Sequence, residues 1–427
     1  MNDFSISVTD WFGAPDSESN ASFGALRIDV DGRPCTEVHD AIARTTRPAI
    51  HVPTNLVAEW LLTRWWRLRW EPRPEAPGYD WMTAHSMAAI GGGHAWPPLE
   101  ISGDGEFVQL SLRREDRPDV AGIRYLNDVS VDVEGADFDA AVDAFCATVE
   151  DRIALEPALT NNIRELAREL RDERRDPDLA RRCRWEARAG FDPGDPLDDW
   201  IEALKRLASQ HGDTGMEDLL AKSADYEKLA RAIDAVKQAR VSVDLSAVPA
   251  APKRRRGQRP WERGSQAAQA ARKKLNLLQG PISNETLAEI LGTRLPLDAD
   301  PMAAPGIGGG YRADDGSSST RVLVTSGRAT SQRFYLCRLI GMASAIPAQD
   351  PLLPITDTHT ALQKLGRSFG QEFLCPWNEL EAFVAEDGTS EESIVRAAER
   401  YQVSELLIAS TLVNHGKIDR ARLERFS

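Results

Sequence analysis

Alternating apolar and polar residues predict strands in the first third of the chain. The segment GALRIDVDGRP alternates with a period of two and runs into an Asp-Gly turn, and EFVQLSL and VSVDVEG are two further strand candidates. Helical spacing replaces this alternation at residues 55–70, and a second helical segment places Phe138, Val142 and Phe145 on one face. Residues 1–155 are therefore predicted to form a mixed α/β domain.

The pattern changes after this domain. Residues 156–245 contain four charged amphipathic segments separated by Pro or Gly, which predicts a helical connector. Residues 246–264 are rich in Pro, Ala and Arg and have no periodicity, as is typical of a linker. Residues 265–427 return to helical spacing and predict a mainly helical C-terminal domain, in which residues 301–320, with GIGGG and GSSS, are expected to form a loop.

Composition narrows the class of protein. The chain has 427 residues, which favours two to three domains, and its 42% hydrophobic and 28% charged residues argue against wholesale disorder. Its apolar runs are far shorter than the roughly 20 residues of a membrane helix, and the opening MNDFSISVTDWFG is too polar for a secretory signal. The five cysteines are scattered and form no CxxC pair, so we expect a reduced cytoplasmic protein without a disulfide scaffold.

Charge and histidine spacing limit the candidate chemistry. The net charge of −14 disfavours nucleic acid as a general partner, although the basic run from Lys253 to Arg259 leaves a weak electrostatic contact open. A solvated linker is the favoured interpretation of that run. No two of the seven histidines are four residues apart, so the sequence contains no HExxH zinc motif.

Tryptophan is concentrated in one short region, since six of the eleven lie within residues 60–96. The favoured interpretation is that these rings build the core of the first domain, because aromatic side chains bury large areas. The alternative is a surface for a ligand or partner, where Trp is enriched. That surface would be formed by Trp65, Trp66, His85, His94 and Trp96. The three glycines before His94 favour a structured turn, because two histidines alone do not form a zinc site.

The C-terminal domain carries three segments in an informative order. RFYLCRLIGM (333–342) is followed by QKLGRSFGQEFLCP (363–376) and then by AAERYQVSELLIASTLVNHG (397–416). This order resembles the ImmA/IrrE family of zinc metallopeptidases, in which a segment of the form RFTLAHELGH precedes one of the form ERxANxFAAELLMP and a helical segment. The resemblance covers roughly residues 260–427 and implies a zincin-like domain. The predicted fold class of the chain is α+β.

The resemblance does not extend to the catalytic residues. The positions of the two zinc-binding histidines are occupied by Arg338 and Met342, that of the general-base glutamate by Leu339, and that of the third ligand by Gln363. A guanidinium has no lone pair for zinc, and leucine does not accept a proton from water. We therefore expect an inactive peptidase domain with no metal and no other cofactor. Arg338 is expected to form an ion pair, for which Asp357 and Glu372 are the candidate partners.

These features favour a regulatory or protein-interaction protein. Active relatives in the family cleave transcriptional repressors, often in mobile elements, defence or stress responses, so the resemblance implies a protein partner of that kind. One alternative is an active zinc peptidase with other ligands. Another is a DNA-binding regulator that uses the helix pair in IVRAAERYQVSELLIASTLV, although its second helix lacks the polar residues that read bases.

Overall fold

The computed structural model describes residues 4–14, 16–114, 122–277, 279–298, 306–313 and 319–426. Helices and antiparallel sheets are both present, so the chain has an α+β fold. Its internal contacts divide it into two compact units, which we call unit 1 (Met1–Asp198) and unit 2 (Asp199–Ser427). Among the described residues, no helix is long and apolar enough to cross a membrane.

The described residues of unit 1 form three antiparallel sheets. Its strands are β1 (Phe4–Trp11), β2 (Phe23–Val30), β3 (Arg33–Pro34), β4 (Val38–Asp40), β5 (Thr45–Arg47), β6 (Ile50–Pro53), β7 (Glu100–Gly103), β8 (Phe107–Leu112), β9 (Ile123–Tyr125) and β10 (Val129–Glu134). The strand orders are β1-β2-β3 with β6 also paired to β2, β10-β8-β7, and β5-β4-β9. The three strands predicted from alternation correspond to β2, β8 and β10.

One helix of unit 1 packs against several other helices and a strand in the core. The helices are α1 (Glu18–Ala21), α2 (Thr54–Trp70), α3 (Tyr79–His85), α4 (Gly135–Ala154), α5 (Asn162–Arg175) and α6 (Pro177–Arg188), with a short 3-10 helix at Met87–Ala89. Helix α2 packs against α4, α5, α6 and β7, so most of its side chains are buried. The tryptophans of α2 therefore contribute to the core, as the favoured interpretation of the sequence expected.

The predicted connector at 156–245 does not form a body of its own. Helices α5 and α6 pack on α2 in unit 1, where Leu170 and Cys183 enter the core. The next helices, α7 (Asp198–His211), α8 (Asp213–Leu220) and α9 (Tyr226–Lys237), belong to unit 2. Each charged helix also has an apolar stripe, and tertiary contacts decide which core that stripe joins.

Unit 2 continues with seven helices in its described residues. They are α10 (Pro260–Lys274), α11 (Asn284–Leu291), α12 (Ala329–Ala345), α13 (Ala361–Leu374), α14 (Trp377–Asp387), α15 (Glu391–Tyr401) and α16 (Glu405–Asn414), followed by a 3-10 helix at Arg420–Arg425. Helix α13 packs between α10 and α12. The predicted linker at 246–264 is shorter than expected, because α10 begins at Pro260 and the Ala251 amide donates to the Ser344 carbonyl.

Unit 2 also contains a sheet that the sequence pattern missed. Its strands are β11 (Val241–Asp244), β12 (Ile307–Arg312), β13 (Ser319–Leu323) and β14 (Leu352–Thr356), in the antiparallel order β11-β13-β12-β14. The expectation of a loop at GIGGG is wrong, since residues 307–310 form the first part of β12. A Cβ on Gly308 would lie 2.6 Å from the Tyr335 hydroxyl of α12, so glycine permits the close approach of this helix. Residues 299–305 and 314–318 of the expected loop lie outside the described part.

Candidate functional site

Two of the four positions that the resemblance assigns to the catalytic site are in direct contact. Arg338 Nη2 on α12 donates to Gln363 Oε1 on α13 at 2.6 Å. One turn further along each helix, the Met342 methyl group lies over Gly366, 2.5 Å from where a Cβ would be. Leu339 points the other way, toward β12, and is fully buried. Arg338, Met342 and Gln363 therefore occupy one contact region between α12 and α13.

Gln363 is fully buried and uses its whole side-chain amide. Its oxygen accepts from Arg338 Nη2 and, at 3.2 Å, from the Thr356 backbone amide of β14. Its nitrogen donates to Asp218 Oδ2 at 2.7 Å and to the Pro354 carbonyl at 3.0 Å. An amide has two donor hydrogens and an oxygen with two lone pairs, so all four are satisfied. Gln363 thus links α13 to α12, to β14 and to α8.

Asp218 is the buried carboxylate of this cluster. Only 3% of the residue is exposed, and it lies on α8 between apolar residues of the unit 2 interior. Besides the bond from Gln363, its Oδ1 accepts from the Thr360 hydroxyl at 2.5 Å. The Thr360 hydroxyl in turn caps the first turn of α13, because it accepts a hydrogen bond from the backbone amide of Gln363. The carboxylate therefore fixes both the start of α13 and the orientation of the Gln363 side chain.

Arg338 does not form the expected ion pair. Asp357 pairs with Lys222 at 2.7 Å. Glu372 accepts from the Gln269 side chain at 2.8 Å and from the Trp377 amide at 3.1 Å. The sequence placed both carboxylates near α12, but each is held by a partner from another element. The prediction of an ion-paired cross-link is corrected to a hydrogen-bonded one, in which a neutral amide takes the place of the carboxylate.

The guanidinium of Arg338 is only partly used by the protein. Its Nη2 donates to Gln363 and, at 2.7 Å, to the Thr356 carbonyl, whereas its buried Nε has no acceptor among the described residues. Burial is the main cause that lowers the pKa of Arg338 to about 10, and the nearby Arg367 guanidinium is the second. Burial also lowers the pKa of Arg367, which donates to the Thr358 carbonyl at 2.7 Å.

A cavity of about 220 Å³ lies beside this cluster. One wall is a face of α12 formed by Ser331, Phe334, Tyr335 and Arg338, which are spaced as residues on one side of a helix. The rest of the lining is supplied by other parts of unit 2, namely Leu297, Val324, Thr325, Ser326, Thr330, Gln332, Leu336 and Ser404. The cavity thus combines hydroxyl groups and apolar side chains with one guanidinium.

The described residues hold no group of three or more His, Cys, Asp or Glu side chains arranged for a metal ion. Of the alternative ligands near α12 and α13, His359 is exposed, and Glu379 accepts from the Gly280 amide at 2.9 Å. The contacts of Asp357 and Glu372 are those given above. In this arrangement the side chains between α12 and α13 form hydrogen bonds to one another and to backbone groups.

The candidate ligand surface of unit 1 is found in its interior. Trp65, Trp66, His85 and Trp96 are each less than 10% exposed, and His94 is half-buried beside Trp96. These rings were expected on a surface only under the less favoured interpretation, and α2 instead carries Trp65 and Trp66 into the core.

His85 has a structural environment. Its Nδ1 donates to the Ile101 carbonyl at 2.7 Å, and its Nε2 lies 2.9 Å from Glu71 Oε2. The ring of Trp81 stacks on the imidazole with a centroid distance of 4.2 Å. Arg67 completes this network with a 2.7 Å bond to the same Glu71 oxygen. These bonds satisfy a buried histidine and connect α2, α3 and β7.

Sequence reasoning missed Asp218, Thr360 and Tyr335. Asp218 falls within the predicted helical connector, where the pattern DTGMEDLL places it beside the apolar Leu219 and Leu220. An aspartate inside an apolar stripe is a usable signal, because a buried carboxylate needs hydrogen-bond donors.

Comparisons of the chain with models of protein families, with curated proteins and with solved structures found no match.

Proposed function

We propose that unit 2 is a catalytically inactive ImmA/IrrE-type peptidase domain through which the protein acts by binding another protein. The observation that carries the proposal is the contact of Arg338 with Gln363, two residues at positions that the resemblance assigns to zinc ligands. The resemblance assigns these two positions from the order of the sequence segments alone, and they are 25 residues apart in the chain. The hydrogen bond between them supports that assignment.

The same contact argues for loss of catalysis. A zinc ion needs imidazole nitrogens or carboxylate oxygens at about 2.0–2.2 Å. Here a guanidinium and an amide form a hydrogen bond, and Leu339 at the general-base position is buried against β12. In this proposal the polar cluster keeps α12 and α13 together, which is the structural role that a bridging metal would have in an active relative.

A protein partner is favoured over DNA. In α16, which would be the recognition helix, Leu407, Ile408, Ala409 and Leu412 are buried in the core of unit 2. Its exposed first turn carries Glu405, which repels phosphate. The proposed partner is a transcriptional repressor, bound and not cleaved, in the regulation of a stress response, a mobile element or defence.

Elemental analysis tests this proposal. The purified wild-type protein should contain no stoichiometric zinc, and about one zinc per chain would refute the inactive domain. The variant combining Arg338→His, Leu339→Glu, Met342→His and Gln363→Glu should bind zinc, because it returns imidazole and carboxylate ligands to these positions. The matched control keeps Arg338 and carries the other three substitutions, and it should remain without zinc.

A further inference from the structure

The cavity beside α12 is lined by a charged group, Arg338, that donates directly to no carboxylate among the described residues. Both acceptors of Arg338 are reached through Nη2, and Nε donates to no acceptor among the described residues. The two oxygens are a backbone carbonyl and an amide, so neither carries a negative charge. The carboxylates of Asp218 and Asp357 act on this guanidinium only at longer range, and Asp218 is connected to it through Gln363. Because Arg338 lines the cavity, an anion that enters would be a direct charged partner.

The size and lining of the cavity limit the kind of anion. A volume of about 220 Å³ corresponds to roughly seven water molecules, which suits one side chain or one small acid. Val324, Phe334 and Leu336 supply apolar contacts, and Ser331 adds a polar side chain on the α12 wall. The hydroxyl of Tyr335 is bonded to the sheet, where it donates to the Leu323 carbonyl at 2.8 Å. Apolar walls around one guanidinium match a carboxylate on an apolar body better than a phosphate, which is usually bound by several cations or amides.

We propose that this cavity binds a carboxylate group carried on a small apolar body, with Arg338 as the charged partner. The inference rests on the proposed function, because it identifies the part of the protein partner that unit 2 holds. The carboxylate is either the C-terminus of the partner or an Asp or Glu side chain. These two sources have the same chemistry at Arg338 and differ in what is attached to the carboxylate.

Methyl NMR of the full-length chain provides the test. Leu297, Val324 and Leu336 line the cavity, so their labelled methyl groups report binding there. The probes are N-acetylleucine, which imitates a C-terminus, and N-acetylisoglutamine, which offers only a side-chain carboxylate. N-acetylleucinamide is the uncharged control for the first probe, and inorganic phosphate tests whether an anion without an apolar body binds. We expect a saturable shift with at least one carboxylate probe, and none with the amide.

Two variants connect the binding to Arg338. Arg338→Gln removes the charge and should weaken carboxylate binding at least tenfold. Arg396→Gln is the matched control, because Arg396 lies on α15 and pairs with the exposed Asp387. If Arg338→Gln changes the methyl spectrum as a whole, Ser331→Phe is used instead, since Ser331 is exposed and its replacement fills the cavity without removing Arg338. It should abolish the carboxylate-induced shift, and an unchanged shift would overturn the inference.

Three results with the wild-type protein would also overturn the inference. They are equal shifts with N-acetylleucinamide, saturable binding of phosphate alone, and the absence of saturation with both carboxylates. These outcomes are separate from the zinc measurement: a zinc-free protein that binds no carboxylate refutes only this inference, whereas zinc in the wild-type protein refutes the proposed function.

Discussion

Replacing Gln363 with leucine tests whether the buried polar cluster holds unit 2 together. The substitution keeps a side chain of similar size and removes both donors and the acceptor of the amide. Four partners lose a hydrogen bond: the Arg338 guanidinium, the Asp218 carboxylate, the Thr356 amide and the Pro354 carbonyl. Because Gln363 is fully buried, water does not replace the lost bonds without opening the structure.

The magnitude follows from what each partner retains. Arg338 keeps the Thr356 carbonyl, and Asp218 keeps the Thr360 hydroxyl, so neither charge becomes isolated. The Thr356 amide and the Pro354 carbonyl lose their hydrogen bonds to Gln363, and an unsatisfied buried polar group costs about 1–3 kcal/mol. The leucine recovers part of this through burial of apolar surface, about 1 kcal/mol. Two such costs, less this recovery, leave an expected loss of about 1–5 kcal/mol in the stability of unit 2.

Hydrogen exchange is the appropriate assay, because eight of the eleven tryptophans lie in unit 1 and fluorescence would report mainly on that unit. Exchange measured by mass spectrometry on peptides covering α12, α13 and β14 gives the free energy of opening in unit 2. Gln371→Leu is the matched control, since Gln371 lies on the same helix and is only half-buried. A change below about 1 kcal/mol for Gln363→Leu, or one equal to that of the control, would contradict the reasoning.

Three further predictions concern other parts of the molecule. Arg333→Met should destabilise unit 2 by about 3 kcal/mol, because this 2% exposed arginine donates to Ile282, Asn284 and Gln402; unchanged exchange at those three residues would refute it. The five buried cysteines, whose pKa values are raised by burial, should not react with a thiol reagent at pH 8 until the chain is denatured, and a native-state reaction within minutes would be contrary evidence. Brief trypsin digestion should cleave first at the exposed run 253–256, between the Ala251 contact and α10; first cleavage within α7 or α9, found by mass spectrometry, would show that this run is protected.

Local periodicity predicted much of the secondary structure. The alternation in β2, β8 and β10 and the helical spacing in α2, α4, α12 and α13 each place apolar residues on one face, and that information lies within a few neighbouring residues. The core role of the tryptophans followed from the same pattern, because Trp60, Trp65 and Trp66 share α2 and are all buried there. The sequence also placed Arg338, Leu339, Met342 and Gln363 in two helical segments, which correspond to α12 and α13.

The sequence by itself predicted the longer helices and showed that Arg338, Leu339, Met342 and Gln363 offer no imidazole or carboxylate to a zinc ion. Tertiary structure alone decided how those positions are used. Gln363 binds Asp218 across 145 residues, and Asp357 is taken by Lys222 across 135, so Arg338 receives an amide in place of the expected carboxylate. Likewise, residues 307–310 of GIGGG belong to strand β12 because they pair with β13 and β14. Each outcome depends on contacts between segments that are distant in the chain. A pattern that repeats every two to four residues does not predict such contacts.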